Sequence, residues 1–203
     1  MTLEAYLNSL ADATPTPGGG SVAALCGALA AALTCMVASL AVGKEGYESV
    51  QTDVKDLEKR SKDLQRRLVV LMEEDAKAYD AVVAAIRLPR KSDEERAERV
   101  RAMQTAYEHA TMVPLDTMAA CSEALSAALV AAQKGNRNAI TDAGTAALVA
   151  EAGLRAAALN VRINLAALKD NATRTRIEAQ LGRILQDADR VGHTVLALVE
   201  GRL

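Results

Sequence analysis

Three short stretches of this chain bring together residue types that can hold a ligand or move a proton. The first, starting at Asp12, reads DATPTPGGGS. Glycines let backbone amides come close to a ligand, and a helix opening behind them adds unpaired N–H groups and the positive end of its dipole. Pro17, Gly18, Gly19, Gly20 and Ser21 are therefore candidate binding residues for an anionic or carbonyl group. No Gly-Lys-Ser/Thr follows, so the loop is not a Walker A motif. A tight turn feeding a crowded helix would use the same glycines.

The second stretch, EEDAKAYDAV from Glu73, places Asp75, Lys77 and Asp80 among apolar residues. Lys77 and Asp80 are three apart and hence neighbours on one helix face. Most such charges form a solvated stripe with an ion pair. The third, GNRNAITDAGTAALVAEAGLRAAALNVRINL from Gly135, sets Asp142 into a face of small and apolar residues. Beyond it Asn160, Arg162 and Asn164 alternate with apolar positions. Buried polar groups need partners, so these residues either cap helices and form ion pairs or face a ligand.

Composition narrows the classes. The 203 residues are 50% hydrophobic, enough for a substantial core in one domain spanning residues 1–203. Lys plus Arg number 24 against 26 Asp plus Glu, and aromatics make up 2%. A net charge of -2 without stacking platforms argues against nucleic acid. Cys26, Cys35 and Cys121 are odd in number and lie in apolar helical patterns, which points to reduced, buried thiols. No CxxC occurs and His109 and His193 stand far apart, so no metal site is expected. The N-terminus lacks the pattern of a signal peptide, which implies a cytoplasmic protein.

The elements that must position these groups are all helices. Apolar residues recur at spacings of three and four, with no period-two run. Six helices are expected. They run from Thr2 to Ala11, from a cap at Ser21 to near Gly43, from Tyr47 to Leu88, from a capping box at Ser92 toward Ala132, from Ala139 to Asn160, and from Arg174 to Val199. The third should turn Leu57, Leu64, Leu68, Leu71, Met72, Ala76, Tyr79 and Val83 inward, and Pro114 should kink or break the fourth. Val22 to Val42 is long enough to span a bilayer, but it is Ala-rich and no other segment resembles a span. A core helix is the preferred reading, with no membrane partner. Small residues on the second and fifth helices predict that these two pack closely, in the core or in a dimer seam.

Taken together, TPTPGGGSVAALCGALAAALTCMV, DAKAYDAVVAAIRLP and TDAGTAALVAEAGLRAAALNVRINL resemble the cyclodeaminase/cyclohydrolase family. These motifs span nearly the whole chain in the family's order. Thr141 stands where the family pattern has Ser, and keeps the hydroxyl. The resemblance implies an all-α fold, a homodimer and a tetrahydrofolate-bound one-carbon substrate, with no permanently bound cofactor and no metal. The implied reaction is hydrolysis of 5,10-methenyltetrahydrofolate to 10-formyltetrahydrofolate. The alternatives are cyclodeamination of the formimino compound with release of ammonia, and a non-catalytic helical dimer. The implied roles go to Asp75 or Asp142 as cation stabiliser and general acid/base, with Lys77 as a second proton carrier. Pro17, Gly18, Gly19, Gly20, Ser21, Asp80, Asn138, Arg162 and Asn164 would bind substrate, Arg162 through the glutamate tail.

Overall fold

A computed structural model describes residues 2–203. Among them are six α-helices, two short 3₁₀ turns and no strand. The helices are α1 (Leu3–Ala11), α2 (Gly19–Ser39), α3 (Gln51–Ile86), α4 (Asp93–Lys134), α5 (Ile140–Leu165) and α6 (Asn171–Glu200). α2, α3, α4 and α5 form a ring in which each packs on the next, and α6 covers α4 and α5.

The core is built mostly from alanine. Ala23, Ala24, Ala30, Ala31, Ala124, Ala128, Ala143, Ala146, Ala150 and Ala157 are fully buried. Side chains this short let helix backbones approach, and glycine carries that to its limit. A Cβ on Gly153 of α5 would lie 2.7 Å from the Ala23 carbonyl oxygen of α2, and one on Gly27 would lie 2.7 Å from Cys121 Sγ of α4. The expected close packing of the second and fifth helices is therefore observed. Larger apolar residues, including Leu57, Leu68, Leu115, Met118, Leu125 and Leu154, fill the rest of the interior.

Several boundaries differ from the sequence reading. The N-cap of α2 is Gly18, not Ser21, which lies buried inside the first turn. The helix stops at Ser39, and Gly43 follows in a turn at φ 67°. The 3₁₀ turn Glu48–Val50 leads into α3, which ends at Ile86. Tyr79 is exposed rather than inward, because the second half of α3 turns Ala78, Val82 and Ala85, not Tyr79, toward Ala106, Ala110 and Val113 of α4. Pro114 does not break α4, which runs through it for 42 residues. Burial of Pro114 and its neighbours holds the helix against the lost hydrogen bond. α5 continues to Leu165 and so includes Asn160, Arg162 and Asn164, while α6 begins at Asn171 under an Asp170 cap. The Ser92–Glu95 capping box is present as expected.

Among the described residues two helices, α2 and α4, are long and apolar enough to cross a membrane, one more than the sequence reading found. In each, more than half of the apolar window is buried against other helices.

Candidate active site

At one end of the bundle α1, the Pro-Gly loop, the start of α2 and the middle of α3 converge. Asp75 projects from α3 over Gly20, where a Cβ would collide with its carboxylate. The Ser21 N–H donates to Asp75 Oδ2 at 3.1 Å. That amide lies in the first turn of α2, which has no intrahelical acceptor for it. Removal from water nonetheless dominates: it pushes the half-buried Asp75 carboxyl above the ordinary carboxylate range, and the Ser21 amide opposes this only in part. Such a group can exchange protons nearer neutral pH than a surface aspartate.

The Ser21 hydroxyl is bonded to the phenol of Tyr6 at 3.0 Å, both groups being buried. Tyr6 thus ties α1 to the loop. It was not singled out in the sequence, where its only mark is to be one of four aromatic residues, just ahead of the Gly-rich turn. Beside this pair opens a cavity of about 630 Å³, lined by Tyr6, Thr16, Pro17, Ser21, Leu25, Met72 and Ala76 among others. The Thr16–Pro17 peptide in its wall is cis. Its mostly apolar walls with a few convergent polar groups are those of a small-molecule site.

The remaining predicted residues are spread out. Asn160 brings its amide near Gly19, which a Cβ on that glycine would meet at 3.6 Å, while donating to the Ala156 carbonyl. Asn164 donates to the Ala110 carbonyl of α4 at 2.6 Å. Arg162 is exposed beside a separate groove shared with Arg174 and Glu178. Lys77 and Asp80 lie on the exposed side of α3, and Lys77 pairs with Glu74 at 2.8 Å rather than with Asp80.

Asn138 and Asp142 sit at the opposite end. Asn136, just before α5, bonds the Val37 and Leu40 carbonyls at the end of α2, so α2 and α5 are antiparallel. The Asn138 N–H donates to Asn136 Oδ1 in the turn there. Asp142 lies in the first turn of α5, 18 residues before Asn160 (160 minus 142), which at 1.5 Å per residue is about 27 Å. Within one chain the two candidate catalytic carboxylates do not meet.

Among the described residues no three of His, Cys, Asp and Glu gather as a metal site would require. Cys121 is fully buried and its thiol is pushed up to about 12 by burial, which removes it as a nucleophile.

The site is a Gly-rich helix start under Asp75, backed by an Ala-packed bundle, and known proteins resemble the chain over its whole length. The family model described as formiminotransferase-cyclodeaminase matches residues 2–183. The chain belongs to this family. It is 41% identical over its whole length to a methenyltetrahydrofolate cyclohydrolase of Methylorubrum extorquens, covering 97% of that protein. It is 32% identical to the formimidoyltransferase-cyclodeaminase of Gallus gallus, spanning 37% of that longer protein. A crystal structure of formiminotetrahydrofolate cyclodeaminase from Thermotoga maritima superposes with a TM-score of 0.90 at 27% identity, covering 99% of this chain and 96% of that one. As a family member the chain has the all-α fold expected from its motifs.

Proposed function

We propose that this chain is an enzyme of tetrahydrofolate one-carbon metabolism that hydrolyses 5,10-methenyltetrahydrofolate to 10-formyltetrahydrofolate. The observation that carries the reading is Asp75, a carboxyl with raised proton affinity held by the helix-start amide of Ser21, a residue that lines the apolar cavity. The whole-length likeness to a methenyltetrahydrofolate cyclohydrolase supports it.

The substrate is a cationic amidinium whose one carbon bridges two folate nitrogens. Water adds to that carbon and loses a proton to Asp75, giving a neutral tetrahedral adduct. The bond to one nitrogen then breaks as Asp75 returns the proton to it and the adduct hydroxyl releases its own proton to solvent, leaving the formyl group on the other nitrogen. An ionised Asp75 also stabilises the cation before attack. Amides of Gly18 to Ser21 receive a carbonyl or anionic part of the folate, and Pro17 forms wall. Lys77 stays a second proton carrier, Asp80 and Asn164 further substrate contacts and Arg162 a partner for the glutamate tail, whereas Asn138, at the opposite end of the bundle, lies outside this site. The protein works as a cytoplasmic homodimer, one domain per chain, without permanent cofactor, membrane or nucleic acid.

The second reading is cyclodeamination, in which a folate nitrogen attacks a formimino carbon and ammonia leaves. The fold likeness to the Thermotoga maritima cyclodeaminase favours it. The test is to add the protein to 5,10-methenyltetrahydrofolate and follow loss of the amidinium absorbance, then to supply formiminotetrahydrofolate and measure ammonia. Acceleration of the first reaction supports the cyclohydrolase. Acceleration of the second alone supports the deaminase, and neither leaves a helical interaction module.

A further inference from the structure

The groove between α3 and α4 holds polar groups that the folate reading leaves unused, and it shares no lining residue with the candidate active site. Arg67 of α3 pairs with Glu123 of α4, and Asp53 with Lys134, so the two helices run antiparallel. Between these pairs Arg60, Ser61 and Leu64 of α3 line the groove from one side and Ser122, Ser126 and Ala127 of α4 from the other. The residues on α4 are small and leave the seam open. The space enclosed is about 500 Å³, within the range of about 300–1,000 Å³ typical of small-molecule pockets.

Ser61 is only 1% exposed, yet its Oγ has no hydrogen-bond partner among the described residues. A buried hydroxyl that no group of the chain satisfies is completed by an acceptor entering the groove. Ser122 and Ser126 add two more hydroxyls, one half-buried and one exposed. The two carboxylates of the groove are already engaged, Glu123 by Arg67 at 2.9 Å and Asp63 by Arg66. Arg60 meets Asp56 at 3.5 Å with both side chains more than half exposed, a weak hold in water. Its guanidinium can therefore turn to a ligand in the groove. What the groove offers is a set of donors from a floor and two walls, beside one loosely held positive charge. A tetrahedral phosphoryl group has an oxygen for each of these directions, where a carboxylate has two oxygens in one plane. We propose that the α3–α4 groove binds the phosphoryl group of a small phosphomonoester. Ser61 donates from the floor, Ser122 and Ser126 from α4, and Arg60 from α3, and the remaining volume takes the carrier of the phosphoryl group. This site stands independently of the folate reading.

The test is calorimetric titration of the full chain, in a phosphate-free buffer at fixed ionic strength, with inorganic phosphate, with glycerol phosphate and with succinate. Saturable one-to-one binding of either phosphate compound supports the site. Tighter binding of glycerol phosphate identifies a phosphomonoester as the source, and tighter binding of the inorganic ion identifies free phosphate. Ser61→Ala removes only a hydroxyl from the floor, and Arg60→Gln only the charge. Each should raise the dissociation constant about tenfold or more. Ser126→Ala, at an exposed position where folding is not at risk, should weaken binding in the same direction. Arg190→Gln, an exposed arginine of α6 outside the groove, removes the same charge and should leave binding unmoved. No saturable binding of either phosphate compound would overturn the proposal. So would tighter binding of succinate, binding that Ser61→Ala and Arg60→Gln leave unchanged, or an equal loss in Arg190→Gln.

Discussion

Asp75 couples chemistry to stability through one desolvated carboxyl. Its folded pKa is raised, so the native state holds a proton that the unfolded chain releases near the ordinary value of about 4. Stability from this group is full below that value and falls as pH rises through the raised one. Asp75→Asn should therefore melt no lower than the native protein at pH 7 while losing turnover by about 10²-fold or more. A calorimetric scan beside the amidinium assay checks both. The native rate should show an ionisation above the usual carboxylate range that the variant lacks. Gly20→Ala makes a sharper case. Alanine is the better helix former by about 1 kcal/mol, yet its methyl would displace the Asp75 carboxylate. The expected outcome is a large loss of turnover, read by the same assay.

The helices pack at distances that only small residues permit. Gly27 and Gly153 meet Cys121 and the Ala23 backbone so closely that a larger side chain must push helices apart. Gly27→Val should cost about 1–3 kcal/mol or more by overpacking, measured by urea unfolding. Among the described residues the same interior carries two hydroxyls with no hydrogen-bond partner, on Thr34 of α2 and Ser61 of α3. Each pays desolvation without return. Thr34→Val and Ser61→Ala should each raise stability by about 1 kcal/mol and leave turnover unchanged, since neither lines the cavity.

The bundle as a whole turns residues far apart in sequence into one seat. Ser21 and Asp75 are 54 positions apart and share a hydrogen bond because α2 and α3 pack side by side. By the same antiparallel logic, Asp142 and Asp75 are held at opposite ends. All-α class, six helices, the closeness of α2 and α5 and the position of the Pro-Gly turn ahead of α2 were legible in the chain alone. They depend on spacing, small-residue faces and glycine freedom, which are local properties. The Asp75–Ser21 bond, the role of Tyr6, the unbroken α4 through Pro114 and the separation of Asp75 from Asp142 were decided only by tertiary packing. Which faces helices bury, and in which direction neighbours run, is set by contacts between segments distant in sequence, and no local pattern encodes them.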